Sequence, residues 1–119
     1  MKNTPSITID STGITIRPEA GGIWLTQHQI ADLFGVFIAK IGSNIRSILK
    51  SGVLQEDMVS HRKDNEDGTT LTLYNLEMIT ALAFRLRSRQ AEQFRQWIVN
   101  RAVSPLIFWK IPGMNVMLN

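Results

Sequence analysis

The chain contains no cysteine among its 119 residues. Without cysteine it can form no disulfide, no thiolate nucleophile and no thiolate metal site. It also lacks an apolar run of signal-peptide length, and no window reaches the roughly 18 residues that a bilayer crossing needs. We therefore expect a cytoplasmic protein that makes no contact with membranes.

Histidine is almost as scarce, since His28 and His61 are the only two and neither has ligand spacing around it. The carboxylates of Asp32, Glu77 and Glu92 stand singly on helical patterns. No Ser, His, Asp order and no phosphate-binding glycine loop occurs in the sequence. We expect no metal, no cofactor, no small-molecule substrate and no enzymatic activity.

A single globular domain fits the length and the composition, which is 44% hydrophobic and 19% charged. The formal net charge of +3 is unevenly distributed. Half of the acidic residues fall in one stretch: Glu56, Asp57, Asp64, Glu66 and Asp67. Arginines crowd another: Arg85, Arg87, Arg89, Arg95 and Arg101. A basic face, suited to an anionic partner, is therefore expected.

Hydrophobic periodicity divides the chain into alternating hairpins and helix pairs. Alternating isoleucines on both sides of Asp10–Gly13 predict an N-terminal hairpin. Thr26 and Gln29 form a capping-box pattern ahead of a helix from about Gln27 to Phe34. Gly35 ends that helix, and a second helical pattern runs to Ser51–Gly52.

Downstream, the strand pattern of 58–63 and 69–73 surrounds a turn rich in Asp, Asn and Gly and predicts a second hairpin. Two helices follow from about Asn75, parted around Arg87–Ser88, and the second is expected to end before Pro105. The aromatic residues at core-like positions are Trp24, Phe34, Phe84, Phe94 and Trp97.

The fold class that we predict is α+β, with a winged-helix-like helix-turn-helix core between two β-hairpins and two C-terminal helices. Residues 1–103 form one domain: hairpin 1–23, helix-turn-helix 24–52, second hairpin 53–74 and helices 75–103. Residues 104–119 form an apolar tail. Because Ile107, Phe108 and Trp109 in this tail have nothing obvious to cover them, we expect a homodimer contact or a partner surface there.

A helix-turn-helix needs a small residue in its first helix, a glycine in the turn and apolar residues at set offsets. Residues 30–45 supply these features, although a plain helical hairpin can mimic them. On this hypothesis the residues at the DNA are Thr26, Gln27, Phe37, Ile38, Ala39, Lys40, Gly42, Ser43, Arg46 and Lys50. Thr26 and Gln27 would offer backbone N–H groups to a phosphate. The alternative is that Phe37 and Ile38 are buried by the flanking hairpins or by a second subunit.

Base recognition usually requires Arg, Lys, Asn or Gln, whereas 37–39 offers only apolar contact, such as with a thymine methyl group. Lys40, Arg46 and Lys50 suit salt-sensitive phosphate contacts of low selectivity. Further along, the arginines suit a phosphate clamp or, equally, salt bridges to Glu92 or the acidic turn. These arginines are Arg85, Arg87, Arg89 and Arg95.

Three ordered blocks resemble a known family. The segment 24–36 (WLTQHQIADLFGV) resembles the opening of the virulence RhuM family of DNA-binding proteins, and 74–79 (YNLEMI) and 84–97 (FRLRSRQAEQFRQW) are similar to its later blocks. The resemblance implies a DNA-associated role, in a mobile element or beside restriction-modification genes. It departs from the family at 37–39, where a polar, serine-rich start is usual, and at Ala83-Phe84, where glycine-tyrosine is usual. The family usually continues beyond the position of Ala102, so a truncated or frameshifted relative, or a docking tail, would account for the short end.

From these observations we predict a protein that binds double-stranded DNA, as a dimer and with modest sequence selectivity. The alternative is a protein-interaction module without direct DNA binding, whose apolar Phe37-Ile38 face and tail contact another chain. The two hypotheses differ in salt dependence, which phosphate contacts make steep and apolar docking makes weak.

Overall fold

The computed structural model describes residues 7–17 and 21–108, the last five by their backbone alone. The chain is a mixed α+β protein with five helices and two small antiparallel sheets in this described part. Its elements are β1 (Ile7–Asp10), β2 (Gly13–Ile16), β3 (Trp24–Thr26), α1 (Gln27–Phe34), α2 (Ile38–Ser51), α3 (Glu56–Val59), β4 (Ser60–Asp64), β5 (Thr70–Asn75), α4 (Leu76–Ala83) and α5 (Arg89–Phe108). None of the described helices combines the length and apolarity that a bilayer crossing requires.

The N-terminal hairpin is confirmed. β1 and β2 pair in antiparallel register, with Ile7 opposite Ile16 and Ile9 opposite Ile14. The hairpin packs against α1 and α5. Its isoleucines therefore belong to the same core as the helices.

The second sheet has three strands in the order β3-β5-β4, all antiparallel. The predicted second hairpin is present as β4–β5, but β3 was not expected. Only three residues long, β3 is too short for alternation to be visible, and it is a strand because it pairs with β5, with Leu25 opposite Tyr74. The expected strand start at Met58 is wrong, because Met58 lies in the short helix α3.

Both ends of α1 lie where the sequence predicts them. Thr26 and Gln29 form a reciprocal capping box, with Thr26 Oγ1 accepting from the Gln29 N–H at 3.1 Å and Gln29 Oε1 accepting from the Thr26 N–H at 2.8 Å. Gly35 ends the helix in the left-handed region at φ 66°, and Gly52 ends α2 in the same way at φ 82°. Residues 35–37 thus form the turn that connects α1 to α2.

The two predicted C-terminal helices are present, but the second is longer than expected. α5 continues through Pro105 to Phe108 instead of ending before the proline. A proline fixes φ at a helical value and removes one backbone donor, so a helix already formed upstream can pass through it at some cost. The part of the predicted tail from 109 to 119, which includes Trp109, lies outside the described residues.

One hydrophobic core joins the helices to both sheets. Its fully buried large side chains include Phe34 of α1, Ile41 and Ile48 of α2, Met78 of α4 and Phe94 of α5. The Phe34 and Phe94 rings meet edge to face, with centroids 5.7 Å apart. This contact ties the α1–α2 pair to the C-terminal helix.

The placement of Phe84 in the core was wrong. This side chain is 53% exposed, because α4 ends at Ala83 and Phe84 is the capping residue that follows. Phe34 and Phe94 are buried, and Trp24 and Trp97 are partly buried. The helical spacing was correct, but it carried one residue beyond the end of the helix.

The turn between β4 and β5 is held by an aspartate. Asp67 Oδ1 accepts hydrogen bonds from the Thr69 hydroxyl at 2.6 Å and the Thr69 backbone N–H at 2.9 Å. These two bonds, the hydroxyl first, favour the ionised carboxylate and lower the pKa of Asp67.

We expect this turn to loosen in acid. Because the folded pKa is depressed, the stabilising contribution is present above the ordinary aspartate pKa of about 4 and is lost as the pH falls through the folded pKa. An NMR titration of the Asp67 carboxyl should show this low pKa, and Thr69→Val should raise it. Thr12→Val, in the β1–β2 turn, is the control; an equal rise there would contradict a local cause.

A second prediction concerns Gly35. Alanine in the left-handed region costs about 1 kcal/mol, so Gly35→Ala and Gly52→Ala should both destabilise the protein in urea unfolding. At Gly35 an added Cβ would also lie 2.6 Å from Gln90 Nε2, whereas at Gly52 it meets nothing within 4 Å. Gly35→Ala should therefore lose more, and Gln90→Ala should recover the excess. An equal loss at the two glycines would show that Gln90 moves away freely.

Candidate nucleic-acid interface

The helix α2 divides into a buried and an exposed side. Ile41, Ile45 and Ile48 are buried, and the helix packs on α1 and α4. The opposite side is exposed: Ala39, Lys40, Ser43, Arg46, Ser47 and Lys50. Since residues three and four apart share one side of a helix, Ala39, Ser43, Arg46 and Lys50 form a continuous stripe.

The basic side chains on this exposed side are not neutralised by neighbours. In the described part of the chain the one contact between a basic side chain and a carboxylate within salt-bridge distance is His28 Nδ1 with Asp32 Oδ2, 3.6 Å apart and exposed on both sides, and it is an ion pair only when the imidazole is protonated. Lys40, Arg46 and Lys50 form no salt bridge among the described residues. Their charges are therefore available to an anionic partner.

The beginning of α2 is apolar and uncovered. Phe37 is 86% exposed and Ile38 is 49% exposed. The alternative that the flanking hairpins bury these two side chains is therefore wrong: β1–β2 packs against α1 and α5, on a different part of the molecule. The other alternative, burial by a second subunit, stays a prediction.

Gly42 was placed on the exposed side of α2, but it is buried. A Cβ at this position would lie 3.3 Å from Gln27 Oε1 and 3.5 Å from Arg46 Nη1. The first residue of α1 therefore approaches the middle of α2 at Gly42, with the Arg46 guanidinium beside it. Gly42 permits this close approach of α1 instead of lining the exposed stripe.

Thr26 is less available than expected. Its backbone N–H donates to Gln29 Oε1 and its hydroxyl accepts from the Gln29 N–H, so the capping box occupies both groups. A phosphate at this end of α1 would have to use other donors. Gln27, half-buried beside Gly42 and Arg46, is the better placed of the two predicted residues.

The structure brings one of the predicted arginines to α2. Arg85 Nη1 donates to Ser47 Oγ at 2.8 Å, across 38 positions of sequence. At the other end of the α4–α5 connection the Gln90 side chain lies against Gly35. The segment from Arg85 to Gln90 thus contacts α2 at Ser47 and the turn before α2 at Gly35. Arg87 and Arg89 are exposed within this segment.

Arg95 has a different role from the other arginines. Its Nη1 donates to the backbone carbonyls of Ala83 and Leu86, both at 2.7 Å. These carbonyls lie at and just after the end of α4, where a helix leaves acceptors without partners. Arg95 therefore stabilises the α4–α5 connection. The proposed salt bridges of these arginines to Glu92 or the acidic turn are not present among the described residues.

Ser47 is the site residue that the sequence analysis missed. It follows Lys40 by seven positions and Ser43 by four, so helical spacing alone places it on the exposed side. No local pattern in the sequence predicts the contact of Ser47 with Arg85, because the two residues are far apart along the chain.

The rest of the described surface offers little reactive chemistry. A groove of about 780 Å³ between β3, α4 and α5 is lined mostly by apolar and aromatic groups, including Trp24 and Trp97, with Glu77 and Arg101 as its charged residues. Arg101 stacks over the Trp97 ring at 4.9 Å. No three His, Asp or Glu side chains in the described residues come together as a metal site.

Comparison with known proteins identifies no relative: the chain matches no protein-family model, no curated protein and no solved structure. The case for a function therefore depends on the side chains and contacts described above.

We expect Arg95→Ala to destabilise the protein by about 2 kcal/mol, because hydrogen bonds from a charged donor to buried acceptors are worth more than neutral ones. Arg87→Ala, an exposed arginine in the same region, is the matched control and should cost less than about 0.5 kcal/mol. Urea unfolding of the two variants measures the difference. If both lose the same small amount, the two carbonyl contacts of Arg95 contribute little.

Proposed function

We propose that the chain binds double-stranded DNA with the exposed side of α2 facing the major groove. The observation that carries this proposal is the set of cations on the exposed side of α2, Lys40, Arg46 and Lys50, which form no salt bridge among the described residues. Arg85 adds a fourth cation, because its Nη1 donates to Ser47 Oγ on the same side. Proteins bind duplexes chiefly by neutralising phosphates with Lys and Arg, and an α-helix fits the width of the major groove. Sequence selectivity is modest, because Phe37, Ile38 and Ala39 at the start of α2 carry no side-chain hydrogen-bonding groups for base edges.

The order of elements supports a winged-helix-like domain. α1 and α2 follow β3, the hairpin β4–β5 follows them, and β5 lies between β3 and β4. In such domains the second helix of the helix-turn-helix is the recognition helix, and its first residues contact base edges. Here those residues are Phe37, Ile38 and Ala39.

The resemblance to the RhuM family supports the same proposal, since it implies a DNA-associated role in a mobile-element setting. Residues of the two later blocks stabilise α4 in this structure. Asn75 caps the start of α4, with its Oδ1 accepting from the Met78 N–H, and Arg95 donates to the Ala83 carbonyl at the end of that helix. The positions that carry the resemblance thus help to hold α4, on which α2 packs, whereas the departures at 37–39 fall on the exposed start of α2.

We assign the phosphate contacts to α2 and to the exposed arginines of 85–89, and not to the turn of the β4–β5 hairpin. That turn carries Asp64, Glu66 and Asp67, all exposed. Three carboxylates so close together repel phosphates, and the hydrogen bonds from Thr69 lower the pKa of Asp67 further below its ordinary acidic value. The wing of this domain thus stays away from the DNA backbone.

A second candidate function, a protein-interaction module, is favoured by the exposure of Phe37 and Ile38. An apolar group of this kind on a folded protein suits the surface of another chain. On that hypothesis affinity would depend on apolar contact and change little with salt.

The two proposed functions predict different salt dependences in a binding measurement. We expect affinity for random-sequence duplex DNA, measured by fluorescence anisotropy, to fall with salt with a logarithmic slope of about −5, from roughly six phosphate contacts. Lys40→Gln with Arg46→Gln removes two of these contacts and should reduce the slope by about 2.

The matched control is Arg17→Gln with Arg101→Gln, which removes the same charge from the end of β2 and from α5. It should leave the slope close to that of the unaltered protein. Equal effects of the two pairs would mean that only overall charge matters, and no binding at low salt would favour the protein-interaction module.

A further inference from the structure

The apolar start of α2 is the one part of the proposed interface that the phosphate contacts do not explain. Phe37 is the capping residue of α2, but its side chain makes no capping bond, and it is the most exposed large apolar residue described. Ile38 and Ala39 follow it, both exposed. Exposing a phenyl and an isoleucine together in water costs free energy, which burial against a partner would recover.

These apolar residues are continuous with the exposed side of α2 that carries its cations. Lys40 follows Ala39 directly, and Ala39 shares its stripe with Ser43 and Arg46. A partner that covers the start of α2 therefore also meets the cations of Lys40 and Arg46. An apolar protein surface would bury these cations without counter-charges, whereas a DNA duplex supplies phosphates on both sides of each groove.

The edges of the base pairs in the major groove carry one apolar group, the methyl at C5 of thymine; 5-methylcytosine presents the same group. Apolar side chains at the first positions of a recognition helix gain binding free energy by burying a methyl group. They gain none from the hydrogen-bond donors and acceptors of unmethylated cytosine or guanine.

Resting on the proposed DNA binding, we propose that Phe37 and Ile38 recognise the 5-methyl group of pyrimidines in the major groove. Selectivity on this proposal is for a methyl group at a position and not for a hydrogen-bonding pattern. The helix discriminates thymine from uracil and 5-methylcytosine from cytosine by the same contact.

The test compares duplexes that differ in this methyl group alone. Alternating adenine–thymine and adenine–uracil duplexes form one pair, and a guanine–cytosine duplex with and without 5-methylcytosine forms the other. Burial of one methyl is worth about fourfold in affinity, so two contacted methyls should give a preference of about 15-fold in fluorescence anisotropy. Agreement between the two pairs separates methyl contact from the altered shape of either duplex.

Phe37→Ser and Ile38→Ser should each reduce the preference while leaving the salt slope unchanged. Val53→Ser is the matched control, because Val53 is 69% exposed just beyond the other end of α2. It should keep both the preference and the slope. Circular dichroism confirms that each variant is folded, and two separate variants keep the test decisive if one is not.

Equal affinity for methylated and unmethylated duplexes, with steep salt dependence, would overturn this inference and leave DNA binding in place. A preference that survives both serine variants would also overturn it, because the methyl contact would lie elsewhere. Absence of salt-dependent binding to every duplex would instead remove the proposed function on which the inference rests.

Discussion

The burial of one side of the α1–α2 pair is the constraint on which the rest of the structure depends. Helices of eight and 14 residues are marginal in isolation. Ile41, Ile45 and Ile48 must therefore be covered, and α1 and α4 cover them while Phe94 of α5 packs on Phe34. Once this side is buried, the geometry of a helix leaves the opposite side in solvent. The charges of Lys40, Arg46 and Lys50 are exposed as a consequence of core packing.

Local signals in the sequence predicted most of this framework. The capping box at Thr26, the glycine that ends α1 and the isoleucine periods act within a few residues, and the structure confirms them. What sequence could not supply depends on distant partners. β3 is a strand only because β5 lies beside it, and Gly42 is buried only because Gln27 crosses there. α5 continues through Pro105, against a local rule that assigns proline to a helix end.

The candidate site shows the same division. Helical spacing placed Lys40, Ser43, Arg46 and Lys50 on one exposed side, and the same spacing could have added Ser47. The contact of Arg85 with Ser47, and the use of Arg95 for the end of α4, join positions far apart or depend on where a helix stops. Of the four arginines in 85–95, Arg85 contacts α2, Arg95 holds the end of α4, and Arg87 and Arg89 are exposed, a division that composition does not predict.

The distribution of charge favours an anionic partner over a purely apolar protein surface. Lys40 follows the apolar start of α2, Arg46 and Lys50 lie farther along its exposed side, and none of the three forms a salt bridge among the described residues. The carboxylates of Asp64, Glu66 and Asp67 lie instead around the β4–β5 turn. Burying such cations against an apolar surface would incur their desolvation with no return. The partner that we propose therefore offers anions beside small apolar groups, on a surface that an exposed helix can enter. Phosphates flanking a groove with methyl groups at its floor meet all of these requirements, whereas a purely apolar protein surface meets only the one that Phe37 and Ile38 impose.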